Sequence, residues 1–167
     1  MNDVSNASFR IYQAVLTVVQ PNGGENWRAG ELESITWTSN NVAEIKIEYT
    51  SNDTTNWNTI ISRVPAGSGK YTWSVPHSAS TLTRIRISDV TDSRVKDVSN
   101  AVFTIFESTL ALTSPNGGES WRAGSTRNIT WSSSNISNVN LEYTLNNGST
   151  WVYIAQNLNA SLGTYQW

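Results

Sequence analysis

Cysteine is absent from this chain of 167 residues, and histidine and methionine occur once each. Without cysteine there are no disulfides and no thiolate metal sites, which leaves the redox compartment open. No apolar run approaches the length that spans a bilayer, so membrane insertion is not expected. A formal net charge of −2 supplies no basic surface for nucleic acid or for anionic membranes. We therefore expect no nucleic-acid partner and no membrane insertion.

Charged residues are also scarce, at 14% of the chain, whereas serine, threonine and asparagine are abundant. Strand-forming residues combined with uncharged polar residues are typical of extracellular β proteins. The first residues lack the basic and apolar regions of a signal peptide, so a secreted form of this chain would be a mature fragment. Composition thus predicts an extracellular or cell-surface location.

A ten-residue phrase occurs twice in the chain. Pro21 to Gly30 reads PNGGENWRAG and Pro115 to Gly124 reads PNGGESWRAG, with an offset of 94 residues. The alignment extends without a gap from 16–73 onto 110–167, where 25 of 58 positions are identical. All eight tryptophans fall into four pairs at this offset. A turn and a tryptophan set that recur at one period predict a repeated structural unit with a repeated core.

The repeat predicts three segments. Residues 3–12 (DVSNASFRIY) match residues 97–106 (DVSNAVFTIF), again at an offset of 94. We therefore predict that residues 1–13 are the closing strand of a preceding or neighbouring repeat and that 14–107 form a complete β-sandwich repeat. Residues 108–167 would form a second repeat, truncated before its last strands.

Apolar residues alternate with polar ones along the complete repeat, which is the strand signature. The strands predicted from this pattern are Val15–Gln20, Glu33–Thr38, Glu44–Ser51, Asn56–Ser62, Lys70–Val75, Thr83–Val90 and Ala101–Phe106. Seven short strands in one repeat predict an all-β protein of tandem immunoglobulin/fibronectin III-like β-sandwich repeats with a period of 94 residues. A small barrel or a propeller blade is the alternative, although a blade needs only four strands.

The tryptophans are predicted to be mainly core residues, because most lie on the apolar phase of a strand. Those expected to be buried are Trp37, Trp73, Trp131 and Trp167. Trp27 and Trp121 follow the turn and are expected to be the most exposed. They are the candidate ligand-facing aromatics if the protein stacks its rings on sugars.

Candidate catalytic groups are few, and no catalytic, cofactor-binding or metal-binding residues are predicted. His77 lies in a loop without an evident partner, and nucleophilic catalysis needs a base oriented by a third group. Glu48 and Glu142 are predicted on an outward strand face, where Glu48 would pair with a neighbouring arginine, Arg84 or Arg86. The chain is therefore predicted not to be an enzyme.

Three carboxylates near one end of the complete repeat leave a calcium alternative open. Asp89, Asp92 and Asp97 are close in sequence, but Ca²⁺ takes six to eight oxygen ligands and no EF-hand spacing is present. Asx-turns are the simpler interpretation. No cofactor is expected, with Ca²⁺ retained as the alternative.

The segment Thr144 to Trp151, TLNNGSTW, resembles the Asp-box of sialidases and other secreted β proteins. Asn-Gly favours the positive φ of a tight hairpin turn, polar side chains cap the turn, and the tryptophan would pack beneath it. The resemblance implies a role in folding and not glycosidase activity.

The pattern PNGGExWxAG followed by Ile-Thr-Trp (35–37 and 129–131) resembles a repeat of bacterial surface and secreted proteins. That repeat is similar to the N-terminal domain of the Ser/Thr-rich GPI-anchored family, the yeast cell-wall β-glucan synthesis proteins. The resemblance spans both copies. It implies a tandem immunoglobulin-like sandwich on an extracellular protein, and it implies no catalytic residues.

These observations predict a non-catalytic extracellular structural module that serves as spacer, scaffold or filament subunit. Head-to-tail assembly by β-strand exchange would use Ala7, Phe9 and Ile11 as the exchanged segment. Its partners would be copies of itself or adjacent repeats. The alternative is a carbohydrate-binding or adhesion module with cell-surface glycans as partners. One difficulty for exchange is that the counterpart of the strand around Arg84 to Val90 is also missing from the second copy.

Overall fold

The computed structural model describes residues 6–8, 11–52 and 56–167. By contact the chain divides into two compact units, Met1–Phe106 (unit 1) and Glu107–Trp167 (unit 2). Strands dominate the described residues of both units, as predicted, and these residues also include the 3₁₀ turns Ala66–Ser68 and Ala160–Leu162. No helix in the described part of the chain is long and apolar enough to cross a membrane.

Unit 1 is a two-layer sandwich. Its strands are β1 (Val15–Gln20), β2 (Asn26–Arg28), β3 (Leu32–Asn40), β4 (Glu44–Thr50), β5 (Asn58–Pro65), β6 (Lys70–Ser74), β7 (Ser80–Asp89), β8 (Lys96–Val98) and β9 (Phe103–Phe106). One sheet has the order β1-β3-β6, and the other has the order β2-β9-β7-β4-β5, with β8 also pairing with β7. All pairs are antiparallel except β2 with β9. This is the sandwich architecture of immunoglobulin-like and fibronectin type III domains.

The core of unit 1 lies between the two sheets. Side chains of period-two positions from both sheets are buried in it: Leu16, Val18, Ile35, Trp37, Ile45, Ile47, Trp73, Ile85, Ile87, Phe103 and Ile105. Burying apolar area of this kind contributes about 25 cal/mol per Å². The alternation along each strand thus forms one apolar layer, as the sequence pattern predicts.

Unit 2 repeats the first part of this arrangement. Its strands are β10 (Thr109–Ser114), β11 (Asn128–Ser134), β12 (Asn138–Tyr143), β13 (Val152–Asn159) and β14 (Thr164–Gln166). They form a sheet β10-β11-β14 and a hairpin β12-β13. Its smaller core contains Ile129, Trp131, Val139, Leu141 and Ala160.

The predicted strands are present, but two short strands were not predicted. β2 and β8 have three residues each and show too little alternation to be recognised. β5 continues to Pro65 and β7 begins at Ser80, both beyond the predicted limits. Register shifts, where one partner carries an extra residue, occur in the pairing of β5 with β4 and of β7 with β9, and they interrupt the simple period of two.

Candidate functional site

An apolar groove of about 400 Å³ opens between the sheets of unit 2. Leu110, Leu112 and Trp167 line it and are 54%, 47% and 47% exposed. Their counterparts 94 residues earlier are at most 7% exposed: Leu16, Val18 and Trp73. Equivalent sequence positions therefore lie in a closed core in unit 1 and on an open surface in unit 2.

Two strands of unit 1 fill the space that is open in unit 2. β7 pairs with β4 and contributes Ile85 and Ile87, while β9 contributes Phe103 and Ile105, and each of these side chains is at most 1% exposed. In unit 2, β12 pairs with β13 along one edge, and within the described residues no strand pairs along the other. An open edge beside an apolar groove is a surface on which a further strand can add.

The Pro-Asn-Gly-Gly-Glu turn has the same hydrogen bonds in both units. The carboxylate of Glu25 accepts from the backbone N–H groups of Asn22 and Gly23, both at 2.8 Å. The Glu119 carboxylate accepts from the two equivalent groups at 2.7 and 2.8 Å. These backbone bonds, the one from Asn116 first, hold the pKa of Glu119 below its usual range. Local hydrogen bonds thus build this turn with or without a strand packed on it.

Trp27 is not an exposed aromatic, and the prediction of a ligand-facing ring there is wrong. The side chain is 4% exposed, and its ring packs on Phe103 with centroids 4.9 Å apart and edge-on to Trp73 at 6.1 Å. The short strand β2 turns this ring into the core by pairing with β9. Trp121, its counterpart, is half-buried and contacts Trp167 at 6.2 Å. Of this pair, Trp121 is the one whose ring stays partly open to a ligand.

The burial predicted for four other tryptophans holds for three of them and fails for one. Trp37, Trp73 and Trp131 are buried. Trp167 is 47% exposed and contacts Tyr143 at 5.4 Å, so the prediction of burial is wrong there. Its ring lines the groove, whereas the equivalent ring in unit 1, Trp73, is buried against Trp27 of β2 and Tyr49 of β4.

Glu48 pairs with Arg86, as predicted, but it is not exposed on an outward face. Its carboxylate accepts from Arg86 at 2.7 and 2.9 Å and from Lys46 Nζ at 2.6 Å, and the residue is 5% exposed. The Arg86 guanidinium in turn lies 4.2 Å from the centroid of the Trp57 ring. Burial works against the charged form of Glu48, but the bonds from the two cations outweigh it and lower its pKa. Glu142 in unit 2 is exposed.

The predicted Asx-turns are present at two of the three candidate calcium ligands. Asp89 Oδ1 accepts from the backbone N–H of Thr91 at 2.7 Å, and Asp92 Oδ1 accepts from that of Arg94 at 3.1 Å. The Arg94 side chain also binds Asp92 and lowers its pKa to about 2. Asp97 Oδ2 accepts from the N–H of Val18 at 2.8 Å and so joins the two sheets. Among the described residues, no three acidic or histidine side chains converge as metal ligands would.

The Asp-box-like segment forms a capped hairpin turn. Asn147 and Gly148 adopt positive φ, and Asn146 Oδ1 accepts from the N–H of Thr150 at 2.9 Å. The Trp151 ring lies beside the turn, with its Cζ2 3.8 Å from the position of a Cβ built on Gly148, but it is 57% exposed and also lines the groove. His77 lies exposed in the loop after β6.

The predicted exchange segment lies before β1. Ala7 is exposed in a bend, Ile11 is 85% exposed and Tyr12 is 66% exposed. Phe9 lies outside the described residues. Among the described residues of this segment, apolar side chains thus face solvent.

Comparison with known proteins adds little. No family model matches the chain, and no curated protein matches it. The chain is similar to the solved structure of the Clostridium thermocellum CbhA fibronectin(III)-like modules, with 19% identity over 92% of this chain and 78% of that chain and a TM-score of 0.35. Because this similarity is low, the fold is assigned from the strand pairing of this chain and not from the comparison.

Proposed function

We propose that this protein is a non-catalytic structural module of an extracellular or cell-surface protein, acting as spacer, scaffold or filament subunit. Its units would be tandem immunoglobulin/fibronectin III-like sandwiches with a period of 94 residues. The proposal rests on the structural role of the repeated tryptophans. Trp37 and Trp131 each donate from Nε1 to a backbone carbonyl, of Ala66 and Ala160 respectively, at 2.8 Å. Residues repeated to hold a fold together are what a structural array requires.

We further propose that the module assembles head to tail by β-strand exchange. The support is the open groove and strand edge of unit 2, together with the exposed Ile11 and Tyr12 at the other end of the chain. A contact between two different surfaces is heterologous, and it propagates into a filament unless it closes into a ring. Strand addition would bury apolar area and satisfy backbone groups in one step.

Sedimentation velocity over a wide concentration range tests this assembly. The parent chain should form concentration-dependent oligomers, and deletion of residues 1–13 should abolish them while the circular dichroism spectrum of a β protein persists. A parent chain that stays monomeric at every concentration, or a deletion variant that assembles like the parent, would contradict strand exchange.

A carbohydrate-binding function is the second candidate, because aromatic rings are open on unit 2. Trp121 and Trp167 line a shallow depression of about 520 Å³, together with Arg122 and Ser125. Rings open to solvent beside polar side chains can stack on sugars. Binding on a glycan array that Trp121→Ala abolishes, with the fold intact, would favour this candidate. Trp27→Ala is unsuitable for this test because Trp27 belongs to the core.

A further inference from the structure

We infer that the strand acceptor of unit 2 is the turn at residues 116–123 and that residues 6–8 and 11–12 of a second copy bind it in the register of β9. This inference rests on the proposed strand exchange and adds its partner segment, its register and its contacts. The template is unit 1, in which a turn of nearly identical sequence holds β9 and the residues before it.

In unit 1 the turn and the closing segment are joined by a series of backbone hydrogen bonds. They run from Ala101 N–H to Asn22 C=O at 3.1 Å, from Gly24 N–H to Val102 C=O at 2.9 Å, from Thr104 N–H to Glu25 C=O at 2.8 Å and from Ala29 N–H to Phe106 C=O at 2.9 Å. The side chain of Asn22 adds a bond, since its Oδ1 accepts from Asn100 N–H at 2.7 Å. The turn of unit 1 thus binds an extended segment through backbone hydrogen bonds.

The acceptor in unit 2 is already formed. Glu119 makes the same two bonds to its turn as Glu25 does, and Gly117 and Gly118 have φ of 114° and 85°, near the 130° and 86° of Gly23 and Gly24. Strand addition therefore needs little rearrangement of the acceptor, which lowers the cost of binding.

A niche at Gly117 identifies where the donor would lie. A Cβ built on Gly23 would come within 2.4 Å of the Ala101 Cβ, so in unit 1 this glycine makes room for the closing segment. A Cβ built on Gly117 would meet nothing within 4 Å. Ala7 is the residue 94 positions before Ala101 and would fill the space beside Gly117.

The segment proposed to be exchanged, residues 3–12, matches the closing segment of unit 1 in sequence, and its described apolar side chains are exposed to solvent. Residues 3–12 and 97–106 share the pattern DVSNAxFxI. Ile11 corresponds to Ile105, which is buried in unit 1, and Tyr12 corresponds to Phe106. Both donor side chains are exposed in the single chain, so their burial is gained only on assembly.

The register specifies the hydrogen bonds of the exchanged state. In it Gly118 N–H donates to Ser8 C=O, and Ala123 N–H donates to Tyr12 C=O. Asn116 accepts from Ala7 N–H with its carbonyl and from Asn6 N–H with its Oδ1. The donor takes the place of β9 and leaves that of β7 empty, so the free edge of β12 gains no partner.

Hydrogen exchange measured by mass spectrometry separates this register from other modes of assembly. On assembly, the amides of Gly118 and Ala123 should become protected, whereas the free edge of β12 should not. New protection along Asn138–Tyr143 with none at Gly118 would overturn the register, although strand exchange itself would stand.

Two glycine variants of the full chain test the niche as a matched pair. Both glycines have positive φ and open space around them, so alanine adds similar backbone strain at either position. Gly117→Ala blocks the niche and should raise the dissociation constant of assembly about tenfold or more, because overpacking a close contact costs that much. Gly124→Ala should leave assembly nearly unchanged, because Gly124 lies outside the acceptor turn and a Cβ built on it also meets nothing within 4 Å.

Ile11→Asp is a third variant, and it should not destabilise the folded monomer because the Ile11 side chain is 85% exposed. It should abolish assembly and leave the thermal unfolding of the monomer unchanged. Equal effects of the two glycine variants, or assembly that is insensitive to Ile11→Asp, would overturn the inference. A parent chain that never assembles would overturn the proposed strand exchange itself.

Discussion

Units 1 and 2 contain nearly the same local structures but bury them differently. Both form the turn, the hairpin and the tryptophan-to-carbonyl hydrogen bond at an offset of 94 residues. Only unit 1 has β7 and β9 over its apolar layer, and Val18 is 1% exposed where Leu112 is 47% exposed. Local elements thus form from local sequence, while burial depends on strands that come from elsewhere.

The largest expected difference concerns the paired core tryptophans. Trp37→Ala removes a side chain that is 3% exposed in a closed core and should cost ~3–5 kcal/mol of unfolding free energy. Trp131→Ala should cost less, because Trp131 borders the open groove and its removal leaves no enclosed cavity. Hydrogen exchange of β3 and β11 amides reports the stability of each unit separately. Equal losses would mean that the core of unit 2 is as closed as that of unit 1.

The paired glutamates should differ next. Glu48→Gln weakens charge-assisted bonds to Arg86 and Lys46 and should cost ~1.5–3 kcal/mol. Glu142→Gln alters an exposed side chain and should change stability by no more than ~0.5 kcal/mol. Urea denaturation at neutral pH measures both effects, and similar values for the two variants would contradict the contrast in burial.

The same pair gives a pH dependence whose sign follows from the lowered pKa of Glu48. Its contribution is complete above the ordinary glutamate pKa of 4.5 and is lost as the pH falls through the lower folded-state value. Unit 1 should therefore lose stability on acidification below that range, and Glu48→Gln should flatten this part of the profile. A variant with the same acid profile as the parent would show that Glu48 does not contribute.

The smallest expected effect concerns the paired tryptophans after each hairpin turn. Trp57 covers Arg86, so Trp57→Ala should cost about 0.5–2 kcal/mol through the lost cation–π contact. Trp151→Ala should cost less than ~0.5 kcal/mol, because that ring is 57% exposed. The shift of each unit's urea midpoint measures both. A Trp151→Ala variant as destabilised as Trp57→Ala would mean that another surface covers this ring.

Sequence reasoning located most strands and several core residues, and its failures have a shared cause. β1 was predicted with its observed limits, and the inward faces of β4 and β7 follow the alternation of isoleucines. The errors at Trp27, Trp167 and Glu48 all concern burial. Two of them depend on strands distant in sequence, β9 beside Trp27 and β7 beside Glu48. At Trp167 the described residues supply no covering strand, so the ring stays half exposed. The repeat alignment predicted a second copy truncated before its last strands, and the groove opens where those strands would lie.

The sequence by itself determined the local elements of this protein. Asparagine and glycine at positive φ, a glutamate placed to cap its own turn and a period of two along each strand act over a few residues, so they recur wherever the phrase recurs. Only the tertiary structure decided which faces are closed. Burial requires a second apolar surface, which comes from residues distant in sequence. In unit 1, β7 and β9 provide that surface, whereas the described residues of unit 2 do not supply it.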